Sequence, residues 1–133
     1  MILSTKARYG VRAMHYLAQH YDENIPLSIN NISTDLELSE QYLEQLFSKL
    51  KKASLVNSIR GKNGGYVLTS NPKELSIGQI IRALEGELAP SQCSHDPTCC
   101  DNVGSCKANR LWISIYHEIN EIVDSYFLSD MLE

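Results

Sequence analysis

The stretch Ser39–Leu68, SEQYLEQLFSKLKKASLVNSIRGKNGGYVL, constrains this chain more tightly than any other. Leu43, Leu46, Phe47 and Leu50 recur at spacings of three and four, so they fall on one face of a helix that Ser39 can cap. Glu40, Gln41, Glu44, Gln45 and Ser48 are left on the opposite face. Two short β-forming runs follow, LVNSI and YVL, and the glycine-rich Gly61–Gly65 segment between them reads as a hairpin turn. A one-sided helix leading straight into a two-stranded hairpin cannot bury its own apolar face. The preceding chain must supply the cover.

That cover is legible. Ala7, Val11, Met14, Ala18 and Tyr21 form an apolar stripe down a first helix over residues 4–22. Ser28 caps a short second helix to about Leu36, with Ile29 and Ile32 inward. The residues ELS then make the turn into the third helix. Helices and hairpin in this order predict a mainly α fold: a winged helix-turn-helix over residues 1–72, ended by Pro72. Beyond it, Ser76 and Gln79 form a capping-box pattern opening a helix with Ile77, Ile80, Ile81 and Leu84 apolar. From about Lys107 a long helix carries Ala108, Leu111, Trp112, Ile115, Ile119, Ile122 and Tyr126 at near-helical period. Such a helix at the edge of a small domain needs something to pack on, and a partner subunit is the natural candidate. Residues 73–133 therefore read as a dimerisation region.

Composition matters chiefly through where the charge sits. The formal net charge is −4, yet residues 1–72 carry a net +2 and residues 73–133 a net −6. Lys49, Lys51, Lys52, Arg60 and Lys62 follow one another with no intervening acid. A basic patch on an acidic protein is the electrostatic footprint of a DNA-binding face, although a solvated helix end would look the same on charge alone. No stretch approaches the roughly 20 apolar residues that span a bilayer, and the charged N-terminal segment is unlike a secretory signal. The chain reads as cytoplasmic.

In a helix-turn-helix the second helix of the pair enters the major groove. That makes Gln41, Tyr42, Glu44 and Gln45 candidate readers: Gln can pair with adenine, Glu can accept from cytosine N4, and Tyr can donate to phosphate. Lys49 extends the same face. Arg60 at the base of the hairpin and Lys62 at its tip suit minor-groove or phosphate contacts. Gly61, Gly64 and Gly65 are expected to supply positive-φ turn geometry and close approach to DNA. The alternative is an ordinary wet helix face beside an ordinary hairpin.

All four cysteines lie in Cys93–Cys106, CSHDPTCCDNVGSC, within a loop of about residues 87–106. In a reducing compartment, clustered thiols bind metal or respond to redox. Thiolates select zinc, copper(I) and iron–sulfur clusters. Zinc would want four closed ligands and usually a tight C-x2–4-C pair, which is missing. Cys93, His95, Cys99, Cys100 and Cys106 nevertheless contain a zinc-capable set, and a thiol or disulfide switch is a third reading. No C-x-x-C beside a βαβ unit is present, so a thiol oxidoreductase, or any enzyme, is not expected.

The runs STKARYGVRAM, LSEQYLEQLFSKLKKASLVNSIRGKNGGYVL and IGQIIRALEG resemble winged-helix repressors of the IscR and CymR type, along nearly the whole chain. The resemblance implies a homodimer joined through the long C-terminal helix and reading a pseudo-palindromic operator. It places Gln41, Tyr42, Glu44 and Gln45 at base-reading positions and Arg60 on the wing. CymR-like members lack the cysteines and respond through a partner enzyme of cysteine synthesis. IscR-like members hold an iron–sulfur cluster, usually two-iron two-sulfur, on three cysteines with a histidine three residues after the last. Cys93, Cys99 and Cys106 match those three cysteines. The histidine position is Asn109, a poor iron ligand, and Arg8 stands where nitric-oxide-sensing members have aspartate. Cys100 or His95 is then the candidate fourth ligand. The resemblance thus implies a regulator, repressing in character, that senses cluster or redox status. A CymR-like regulator with the cysteines as thiol switch or zinc site is the alternative.

Overall fold

The computed structural model describes residues 3–133. Its order is α1 (Thr5–Gln19), α2 (Ile29–Leu36), α3 (Glu40–Lys52), β1 (Val56–Ile59), β2 (Gly65–Leu68), α4 (Ile77–Glu85) and α5 (Lys107–Asp124), with single 3-10 turns between and after them. This is the mainly helical winged helix-turn-helix that the sequence predicts.

Serine hydroxyls start the first four helices. Ser4, Ser28, Ser39 and Ser76 each accept a hydrogen bond from the backbone N–H three residues on, at Ala7, Asn31, Tyr42 and Gln79. At α4 the Gln79 carboxamide returns the bond to the Ser76 N–H, completing the expected capping box. Each cap satisfies an otherwise orphaned donor and contributes about 1 kcal/mol. The first helix ends earlier than the expected residue 22. It stops at Gln19, and a 3-10 turn over Tyr21–Glu23 leads to Asn24 in the left-handed region at φ 52°. Asn tolerates that conformation because its short amide can bond locally.

One core joins α1, α2, α3, the hairpin and α4. Met14, Ile32, Leu43, Phe47, Leu50, Val56 and Ile80 are fully buried there. The hairpin pairs Val56 with Leu68, Asn57 with Val67, Ser58 with Tyr66 and Ile59 with Gly65. Leu27, just before α2, bridges to Tyr66 and fastens the hairpin to the helix-turn-helix. Tyr66 stacks on Phe47 at 4.4 Å, an offset contact that fixes the wing against α3.

The chain past Pro72 is sewn to the same core. Gly10 of α1 lies so close to α4 that a β-carbon there would stand 2.0 Å from Leu84 Cδ1. After α5 the tail turns back: Leu128 donates its N–H to the Leu75 carbonyl at 2.8 Å, and its side chain is fully buried in the main core. A second, smaller cluster of Ala7, Ile81 and Leu88 receives Ile119 and Val123 from α5.

Candidate nucleic-acid interface and the cysteine loop

The third helix divides as its periodicity requires. Leu43, Leu46, Phe47 and Leu50 are buried, whereas Gln41, Glu44, Gln45, Ser48 and Lys49 are exposed. Gln41, Glu44 and Gln45 therefore sit together along an open cleft of about 620 Å³. Tyr42 lines the same cleft, but its ring meets Tyr9 edge-on at 6.1 Å and its hydroxyl is buried without a hydrogen-bond partner among the described residues. Arg12 lies over the other ring of that pair, 5.3 Å from the Tyr9 centroid. Tyr42 thus contributes packing that the sequence pattern did not reveal, because its partner, Tyr9, comes from α1.

The wing presents Arg60 and Lys62 to solvent. Gly61 has φ +111° and open space around it, so it is there for backbone conformation. Gly64 differs from expectation: it is not among the positive-φ residues. A β-carbon at Gly64 would lie 2.1 Å from the Ile59 carbonyl oxygen, so this position needs glycine for room. The N–H of Gly64 closes the turn on the Gly61 carbonyl at 3.0 Å.

The cysteines lie on the opposite, C-terminal side of the sequence. Among the described residues all four thiols are free; Cys93 is half-buried, and Cys99, Cys100 and Cys106 are exposed. The turn Gln92–Ser94 packs on α5. Asn109, buried at the start of α5, donates from Nδ2 to the Cys93 carbonyl at 3.1 Å. The residue at the expected histidine position therefore pins the loop. Ser91 Oγ lies 3.2 Å from Cys93 Sγ. This hydroxyl, with Asn109 second, holds the Cys93 thiol below its ordinary pKa. Asp96 Oδ1 accepts from the N–H and hydroxyl of Thr98 at 2.9 and 2.6 Å, which orders the loop before Cys99. His95 stacks on Tyr116 of α5, ring centroids 6.0 Å apart.

The donor chemistry of three soft thiols in one ordered loop suits an iron–sulfur cluster. The geometry is not preassembled: among the described residues no three His, Cys, Asp or Glu groups converge on one metal position.

The long helix carries its apolar stripe outward. Leu111 is 55%, Trp112 36% and Ile122 59% exposed; Tyr126, expected on the same helix, lies beyond its end at Asp124 and is 57% exposed, while Ile119 of the expected stripe packs inward. The inner side of α5 carries, besides Ile119 and Val123, an unexpected set of polar contacts. Asn120 donates to the Leu88 carbonyl and accepts from Arg82 at 2.8 Å, and the Arg82 guanidinium also pairs with Asp124 at 2.5 Å.

A capped helix-turn-helix with an exposed polar second helix and a basic wing defines a winged-helix DNA-binding regulator. The family described as Rrf2, iron-dependent transcriptional regulator, matches residues 3–133; the chain belongs to this family. It is 43% identical over 131 residues to the HTH-type transcriptional regulator CymR of Bacillus subtilis (strain 168), covering 98% of this chain and 89% of that protein. To the HTH-type transcriptional regulator IscR of Aliivibrio salmonicida (strain LFI1238) it is 37% identical over 132 residues, covering 99% and 77%. The solved structure of T. potens IscR superposes with a TM-score of 0.75 at 40% identity, covering 99% of this chain and 86% of that one. Family and relatives are transcriptional regulators rather than enzymes. Among the described residues no helix is long and apolar enough to cross a membrane.

Proposed function

We propose that the chain is a cytoplasmic, homodimeric repressor that reads a pseudo-palindromic operator and senses cluster or redox status through its cysteine loop. In this reading residues 1–72 bind DNA and residues 73–133 dimerise and sense. The observation that carries it is the exposed polar face of α3, Gln41, Glu44, Gln45 and Lys49, followed directly by a basic wing. Gln41, Gln45 and Glu44 address base edges, Tyr42 braces the helix, and Arg60, Lys62 and the Gly64 turn address the backbone or minor groove. The exposed Leu111, Trp112 and Ile122 of α5, with Tyr126 just beyond its end, support the dimer. Eight half-exposed apolar side chains in two copies, at about 1 kcal/mol each, give a gross gain comparable to the 4–15 kcal/mol cost of association. The flanking helix surface must supply the surplus.

Cys93, Cys99 and Cys106 are the proposed cluster ligands, with Cys100 or His95 as fourth; a two-iron two-sulfur cluster is the preferred occupant. The greater identity to CymR than to IscR, 43% against 37%, favours a second reading. There the thiols form a switch or a zinc site, and a partner enzyme of cysteine synthesis supplies the control.

Two measurements test the reading. Enrichment of a random duplex pool at about 150 mM salt should yield a two-fold-symmetric site; enrichment of nothing above non-specific DNA would defeat it. Iron and acid-labile sulfide in anaerobically purified protein should approach two of each per chain. Zinc, or no metal at all, would move the assignment to the second reading.

A further inference from the structure

Two open clefts, of about 840 and 620 Å³, share one wall made of Lys6, Lys49 and Lys52. Lys6 belongs to the first turn of α1, and the other two to the last turns of α3. The smaller cleft runs along the exposed residues of α3; the larger reaches Arg82 and Glu85 at the end of α4. Glu44 lines the smaller cleft and Glu85 the larger, and among the described residues neither forms an ion pair with these lysines. Among the described residues the only ion pairs are His20–Glu23 and Arg82–Asp124. Glu85 instead accepts the Ser4 N–H at 2.5 Å. Lys51, by contrast, is occupied by the Ser58 hydroxyl at 2.7 Å. Lys6 and Lys49 crowd each other closely enough that the Lys6 ammonium holds Lys49 below its ordinary pKa. Like charges gathered without a counter-charge are unfavourable in the free protein and become favourable once an anion sits between them.

We infer that Lys6, Lys49 and Lys52 form a seat for a backbone phosphodiester of the bound DNA strand, to which α1 contributes through Lys6. The inference rests on the DNA reading above. Gln41 and Gln45 line the same cleft as the lysines, so a duplex seated on α3 carries its sugar–phosphate strand past this wall. Phosphate contacts of this kind set register and on-rate without reading sequence.

The test compares wild type, Lys6→Gln/Lys49→Gln, and Lys73→Gln/Lys107→Gln, a control of equal net charge, on the enriched operator and on a scrambled duplex. Affinities are measured from 50 to 200 mM salt. Loss of one phosphate contact should lower the log–log salt slope by about 0.9, so the affinity lost across that range shrinks by roughly 3.5-fold. The drop should be equal on both duplexes and absent from the control. Unchanged melting temperatures establish that the variants fold. Wild-type slope in the double variant would overturn the inference while leaving the DNA reading intact; absence of salt-dependent binding in wild type would instead remove the reading itself. A free anion as the natural occupant would appear as a phosphate-dependent rise in melting temperature, beyond that of chloride at equal ionic strength, lost in the variant without any change of slope. That result also overturns the phosphodiester assignment.

Discussion

Replacing Gly64 by Ala separates the wing's geometry from its function. The added methyl would meet the Ile59 carbonyl oxygen at 2.1 Å and the Arg60 carbonyl carbon and Gly61 oxygen at 3.0 Å. Carbon–oxygen contacts shorter than about 3.3 Å are repulsive, so the Ile59–Gly61 backbone must retreat by about 1 Å. Every clashing atom is backbone, so no side-chain rotation relieves it. Residues 60–63 are exposed, however, and the tip can open by giving up the bond from Gly64 to Gly61. A lost hydrogen bond plus residual overpacking costs about 1–2 kcal/mol, which for a chain of this size lowers Tm by roughly 4–8 °C. Arg60 lies within the displaced stretch, so operator affinity at fixed salt should fall about tenfold, read by fluorescence anisotropy well below the new Tm. A melt unchanged within 1 °C would refute the clash argument. A lowered Tm with operator affinity within twofold of wild type would refute the wing's contact with DNA.

Tyr42→Phe removes a buried hydroxyl that has no partner among the described residues, so stability should hold or rise by about 1 kcal/mol in urea melts; a fall would mean the hydroxyl is bonded in solution. Operator affinity unaltered by the same change would assign Tyr42 to bracing. Tyr16 donates to Asp35 at 2.5 Å, and this bond pushes its pKa up to about 12. The folded value lies above the unfolded one, so the stabilisation is complete below pH 10 and fades as pH rises toward 12. Discounted for solvent exposure, the gap between wild type and Tyr16→Phe should be about 1 kcal/mol at pH 9 and should close above pH 12 in urea melts. Ile122→Glu puts a charge into the exposed stripe of α5 and should weaken self-association by about 50-fold in sedimentation equilibrium, since the proposed two-fold dimer would lose the contact twice. Association unchanged by Ile122→Glu would move the interface elsewhere.

What the sequence disclosed was local. Serine caps and the three-and-four spacing of α3 depend on neighbours within one turn, so Ser28, Ser39, Ser76 and the buried face of α3 could be read directly. The wing was equally plain, because glycine clusters have few uses between two β runs. Readings failed where a distant residue decided the outcome. Gly64 looks like a conformational glycine until the Ile59 carbonyl is placed against it. Leu17 is buried by the whole assembly although it lies outside the stripe predicted for α1. The polar inner side of α5 is legible only once Arg82 is known to face Asn120 and Asp124. The return of Phe127 and Leu128 onto residues 75–76 has no sequence signature at all.

If the cysteine loop carries the signal, the packing limits the routes by which it reaches DNA. The loop touches the rest of the molecule through Leu88, which packs with Ala7 of α1 and Ile81 of α4, and through α5, by the turn at Gln92–Ser94 and the Asn109 bond to Cys93. Helix α5 in turn meets α4 at Gly78, where a β-carbon would strike Asp124 Oδ1 at 2.1 Å, and through the Arg82 bonds to Asn120 and Asp124. Helix α4 packs on both α1 and α3, the two helices that carry the lysine wall and the reading face. An allosteric response needs a coupling of about 1–3 kcal/mol. Remaking two charge-assisted hydrogen bonds is worth a similar amount even when partly exposed. A small rotation of α5 against α4, exchanging the partners of Arg82, therefore meets the energetic requirement without unfolding the wing. Because Gly10 leaves no slack between α1 and Leu84 of α4, such a rotation would be passed on to α1 as rigid displacement instead of being absorbed by side chains.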